Sequence, residues 1–192
     1  MCGCHLSIKT LKVQNEKCGL FDSPQALSYT PEVQQKILDV FIEAVRQVFH
    51  ETDILIDSVD MGEAHDTDDQ VITSVGLIGD LKGVFMLRTD TPSAASILRA
   101  MAGGVRIAVK DDILSNVQLT AMGELANQIS GRAITLLSER HLSCDITSPT
   151  IVAATQLQSL VPDVAVTFRR TIRGPFGRLT LFLGMQDLGP SE

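Results

Sequence analysis

The chain has 192 residues, 23 acidic and 16 basic side chains, a formal net charge of −7, and is 44% hydrophobic and 20% charged. This composition excludes wholesale disorder and favours a single domain, and no apolar run approaches the roughly 20 residues that span a bilayer. An acidic chain with one Tyr, no Trp and seven Phe also lacks the basic footprint and aromatic platforms of a nucleic-acid binder, which leaves a cytoplasmic protein with a small-molecule or protein partner.

Residues 1–29 show no sustained periodicity and read as a flexible N-terminal extension, followed by one domain over residues 30–188. Lys9, Lys12, Glu16 and Lys17 interrupt any secretory apolar segment. Cys2, Cys4, His5 and Cys18 suggest a soft metal site. Their spacing does not match the paired Cys-x2–4-Cys pattern of structural zinc, so no metal is assigned and the cysteines are expected to be free thiols.

Thr30-Pro31 predicts a helix start, with Thr as cap and Pro as the first helical residue. Val33, Ile37, Val40, Phe41, Ala44, Val45 and Val48 then recur at steps of three and four, one apolar helix face ending near His50. Strand patterns follow at Ile54–Val59, Val71–Ile78 and Val84–Leu87, the last two joined by the turn-rich Gly79-Asp80-Leu81-Lys82-Gly83. A second Thr-Pro, Thr91-Pro92, opens a helix carrying Ala94, Ala95, Ile97, Leu98 and Met101, which Gly103-Gly104 stops.

The longest helix is predicted from about Asp112 to about Ser138, buried along Leu119, Met122, Ala126, Ile129, Ala133 and Leu136. Three more strands, Ile146–Ala153, Val164–Thr171 and Leu179–Leu183, close the chain, with Arg173-Gly174-Pro175-Phe176-Gly177 as the last turn. This order predicts an α/β (α+β) fold: a mixed, largely antiparallel sheet of about six strands, covered on one side by three main helices.

The chemistry concentrates on the long helix. Glu124 and Asn127 stand three apart, neighbours on a helix surface opposite the buried stripe. Gly123 and Gly131 flank them, and each costs a helix interior about 1 kcal/mol relative to Ala. Two such losses suggest a close approach to this backbone. Asn is neither acid nor base at neutral pH, but its amide can hold a water by donating and accepting hydrogen bonds. A carboxylate can pair with a partner's Lys. Such a pair suits phosphoryl hydrolysis, where positioning and electrostatics dominate. The plainer reading of the same two residues is a solvated helix face.

Other groups carry weaker signals. Asp66-Thr67-Asp68-Asp69, beside His65, lacks the Gly and closing Glu of an EF-hand loop and reads as a solvated loop. His50 and His141 follow predicted helix ends, where positive charge suits the macrodipole. Arg169, Arg170 and Arg173 form a small basic patch at a strand end. No nucleophile elbow and no phosphate-cradling Gly loop is present.

The segment from Thr120 to Gly131 resembles the signature of the CheC/CheX/FliY family of chemotaxis phosphatases: an Asp or Ser, three residues, Glu, two residues, Asn, and a Gly soon after. Glu124, Asn127 and Gly131 fall at those places, and Thr120 stands where Asp or Ser is usual. Phe41-Ile42-Glu43-Ala44-Val45, Gly83-Val84-Phe85-Met86-Leu87, Met101-Ala102-Gly103-Gly104 and Ser148-Pro149-Thr150-Ile151-Val152 resemble CheX flanks in order, over roughly residues 33–185. CheC-like members carry two Glu/Asn sites. Here the first helix has Glu43 but Arg46 at the Asn place, so the single site is similar to CheX.

The resemblance implies a CheX-like phosphatase acting on the aspartyl-phosphate of a CheY-like receiver domain. Asn127 would orient the attacking water and Glu124 would pair with the receiver's active-site Lys. Thr120, Gly123 and Gly131 are the implied partner contacts. The implied protein has no cofactor of its own, since the receiver supplies Mg²⁺, and it is a homodimer with sheets joined across the interface. A non-catalytic adaptor on the same fold, binding a signalling or flagellar-switch partner, is the alternative.

The acidity is local. Residues 51–69 hold Glu51, Asp53, Asp57, Asp60, Glu63, Asp66, Asp68 and Asp69 and no Lys or Arg, so the rest of the chain is close to neutral. A near-neutral face is what docking on a carboxylate-rich receiver pocket requires.

Overall fold

A computed structural model of the chain describes residues 30–61, 70–110, 113–153 and 166–186. The Cys2/Cys4/His5/Cys18 group and the Asp66–Asp69 loop with His65 lie outside the described residues. Helix α1 spans Pro31–Glu51, and the Thr30 hydroxyl accepts from the Val33 amide. One stripe of it is buried, including Ile37, Phe41, Val45 and Phe49. At its end the Thr52 N–H and hydroxyl both donate to the Val48 carbonyl.

The chain then turns back under the helix. Asp53 takes a left-handed φ of 54°, and the Ile54 amide donates to the Phe49 carbonyl. Ile54 is therefore buried beneath α1 instead of in a ladder, and strand β1 is confined to Ser58–Met61. The strand predicted from Ile54 starts late for this reason.

Strands β2 (Val71–Gly79) and β3 (Gly83–Thr89) form the expected hairpin. Helix α2 spans Thr91–Met101, capped one residue earlier than the Thr-Pro pattern predicts: the Asp90 carboxylate accepts from the Ser93 amide at 2.7 Å. Helix α3 runs Asn116–Ser138 behind a capping box. The Ser115 hydroxyl accepts from the Gln118 amide, and the Gln118 side chain accepts from the Ser115 amide at 2.7 Å. That reciprocal pair places the start after Ser115, later than the predicted Asp112.

The strand predicted over Ile146–Ala153 is two strands, β4 (Cys144–Ile146) and β5 (Thr150–Ala153), both paired to β2. The interruption has a chemical cause. Thr147 fills the space that Gly76 leaves without a side chain, its hydroxyl accepting from the Gly76 amide at 2.9 Å. Pro149 has no N–H to continue the ladder. Strands β6 (Val166–Gly174) and β7 (Gly177–Met185) form the last hairpin, in register through Gly174–Gly177.

The described strands form one seven-stranded sheet in the order β1-β6-β7-β3-β2-β4, with β5 also on β2, and every pairing among them is antiparallel. Residues of all three helices join one core with the inward side chains of the sheet, among them Val75, Phe85, Leu87, Leu181 and Leu183. Phe41 of α1 stacks on Phe85 of β3 with ring centroids 5.2 Å apart. The opposite sheet face carries a smaller buried cluster of Ile72, Met86 and Phe182. Helix α3 lies over β2, β4 and β5 and beside α1, which leaves its far face outward.

Candidate functional site

Helix α3 buries Met122, Leu125, Ala126, Ile129, Ser130, Ala133 and Leu137. This stripe is broader than the predicted one, and Leu119 and Leu136 sit at its partly buried margins. The opposite side presents Thr120 and Glu124, both exposed, with Asn127 and Gly131 half-buried at its shoulder. Neither the Glu124 carboxylate nor the Asn127 amide has a hydrogen-bond or ion-pair partner among the described residues. A solvated carboxylate and an amide one turn apart are thus both available to an incoming molecule.

The Thr120 hydroxyl donates to the Asn116 carbonyl at 2.9 Å. Its proton is engaged within the helix, and its lone pairs remain as acceptors. The two glycines differ. Gly123 is buried, and a Cβ there would meet Ile151 Cδ1 at 2.9 Å and Pro149 Cγ at 3.5 Å, so the close approach is by the protein's own strand β5. A Cβ on Gly131 would meet nothing within 4 Å. Only Gly131 leaves open space beside the Glu/Asn pair.

The flank of α3 toward α1 is polar. Arg132 donates to the Glu51 carboxylate at 2.7 Å and to the Gln47 side-chain oxygen at 3.3 Å, and Gln47 donates to Glu43 at 3.0 Å. These residues, with the exposed Arg46 and His50, line an open cleft of about 400 Å³. The place on α1 corresponding to Glu124/Asn127 thus holds a carboxylate engaged by Gln47 and a guanidinium. Arg170 reaches Gln35 at 3.4 Å and Arg173 approaches Asp60 at 3.8 Å, so part of the basic patch on β6 is engaged internally. His141 follows α3 with a left-handed φ of 64°.

No group of three metal-ligating side chains occurs among the described residues. Burial pushes the Cys144 thiol up from its ordinary range, which opposes a role as an activated nucleophile. No described helix is long and apolar enough to cross a membrane. Among the described residues the arrangement supplies positioned hydrogen-bond donors and acceptors and no activated nucleophile. The Arg132–Gln47–Glu51 network was not legible as pattern, because it needs α1 and α3 side by side; the exposed Val117 had a signal in its spacing of two helical turns before Glu124.

Comparison with known proteins gives a consistent picture. The sequence model of the chemotaxis phosphatase CheX family matches residues 71–169, which include the whole segment from Thr120 to Gly131. The CheY-P phosphatase CheX of Thermotoga maritima is 28% identical over 88 residues, 46% of this chain. The chain spans about half the length of that curated relative, 54%. Chemotaxis protein CheX from Vibrio vulnificus superposes with a TM-score of 0.66 at 15% identity, over 79% of this chain and 99% of that one. The CheX of a CheX-CheY-BeF3-Mg²⁺ complex from Borrelia burgdorferi gives 0.65 at 17%, over 78% and 97%. At those identities the structures speak for the fold. With a family match covering more than half of its length and bracketing the Glu124/Asn127 helix, the chain belongs to the CheX family of chemotaxis phosphatases.

Proposed function

We propose that this protein hydrolyses the aspartyl-phosphate of a CheY-like receiver domain. The observation that carries the reading is the Glu124/Asn127 pair on the outward face and shoulder of α3, which has no side-chain partner among the described residues and lies inside the matched family segment. Asn127 donates to and accepts from a water and so aligns it for in-line attack on phosphorus. Glu124 pairs with the receiver's active-site lysine and draws it from the phosphoryl group. The attacking water forms the new P–O bond, the aspartyl oxygen leaves, and inorganic phosphate departs. The receiver supplies Mg²⁺, in keeping with the ion named in the Borrelia complex. Thr120 and Gly131 lie on the contact face, and Gly123 sets the seat of α3 on β5. The reading includes a cytoplasmic location, a homodimer joined through sheet edges, and a single domain over residues 30–188.

The test is phosphate release from phosphorylated receivers. Asn127→Ala and Glu124→Ala should each slow turnover about a hundredfold while costing less than about 0.5 kcal/mol of stability, because neither side chain has a hydrogen-bond partner to lose among the described residues. Wild-type decay no faster than the receiver's own would overturn the enzyme reading and leave the adaptor. Retention of a receiver in both phosphorylation states without turnover would be the adaptor's signature.

A further inference from the structure

Helix α3 is 23 residues long, yet Glu124 and Arg132 are its charged residues, and Arg132 is held by Glu51. Its outward face otherwise shows Val117, Thr120, Gln128 and Thr135. A helix face that meets only water is ordinarily rich in charge. Depletion of charge with apolar groups retained is the mark of an interface centre. Val117 is 79% exposed, the most of any large apolar residue described, and Ile113 just before the helix is 58% exposed.

These positions are fixed. The Gln118 side chain donates to the Ala108 carbonyl at 2.8 Å, which ties Ala108 to the first turn of α3, and the Ile113 amide donates to the Lys110 carbonyl at 3.0 Å. On a helix of 100° per residue, Val117 points within roughly 20° of Glu124 and lies about 10 Å from it along the axis. The distance is short enough for one partner domain to cover both. Beside this face Glu51 is paired with Arg132 and Arg46 of α1 is exposed, an arrangement that offsets the Glu124 charge toward a carboxylate-rich partner.

Resting on the reading above, we propose that Val117, supported by Ile113, is the apolar anchor by which the phosphorylated receiver is held while Glu124 and Asn127 act. The anchor contributes to holding the partner and not to the reacting atoms, so it is a positioning residue. It belongs in KM and in affinity, not in kcat.

The experiment measures phosphate release against receiver concentration for wild type, Val117→Ser and Val117→Ile, with affinity for the beryllofluoride-loaded receiver in parallel. Ser and Val have similar helix propensities, so the variant is expected to fold, and its melting temperature checks this. Val117→Ser should raise KM and Kd about tenfold, the loss expected for uncovering a valine side chain, with kcat within about twofold of wild type. Val117→Ile should match or improve on wild type. Unchanged KM and Kd in Val117→Ser would overturn the anchor and leave the catalytic reading standing. A shift in self-association with unchanged KM would assign the patch to a second copy and likewise overturn it. Absence of wild-type turnover would overturn the catalytic reading instead. The affinity arm would then decide the anchor, a tenfold loss supporting it and no change overturning it.

Discussion

At the scale of single residues, the site is defined by what its side chains do not do. Among the described residues Glu124 and Asn127 have no side-chain partner, whereas neighbouring polar groups do: Ser130 donates to the Ala126 carbonyl at 2.6 Å and Thr135 to the Gly131 carbonyl at 3.0 Å. Gly131 is the residue where stability and the proposed function pull apart. It has open space around its α-carbon and helical backbone on both sides. Gly131→Ala should therefore stabilise the protein by about 1 kcal/mol, read as a raised denaturant midpoint. If the receiver backs onto this position, the same variant should lose receiver affinity. Gly123→Ala should gain less stability, because the new methyl must displace Ile151 Cδ1 at 2.9 Å.

At the scale of elements, α3 is a platform whose start is set by its cap. The Ser115/Gln118 box satisfies two backbone amides, and Gln118 also ties down Ala108. Ser115→Ala should cost about 1 kcal/mol in urea unfolding. It should also loosen the first turn that carries Val117 and Thr120, measurable as faster amide hydrogen exchange at residues 117–120. The seat of the helix is as important as its start. The split between β4 and β5 brings Pro149 and Ile151 under Gly123, so a break in a strand sets the height of α3 above the sheet.

At the scale of the whole molecule, one core joins the three helices to the sheet, and the outward face of α3 inherits its rigidity. The Phe41–Phe85 stack lies where α1 meets β3. Phe41→Ala should cost about 3–5 kcal/mol, a large share of the 5–15 kcal/mol that folded domains of this size hold. Denaturant unfolding checks it. Any loss of turnover in that variant should follow the unfolded fraction, since Phe41 is buried away from the outward helix face.

Much of this was written in periodicity. The face of α1 from Ile37 to Phe49 and the β2–β3 hairpin need only local pattern, because a 3.6-residue repeat or an alternation has one way to bury its apolar side. The Glu124/Asn127 spacing likewise places both groups on one face of any helix that forms there. Long-range partners decided the remainder. Ile54 left the strand because the Phe49 carbonyl captured its amide. Ile146–Ala153 became two strands because Thr147 found Gly76 across the sheet. Gly123 and Gly131, alike in sequence, parted because β5 lies under one and open space beside the other. Sequence by itself determined which residues share a face. Tertiary structure decided which faces are covered, because burial depends on neighbours that lie far away along the chain.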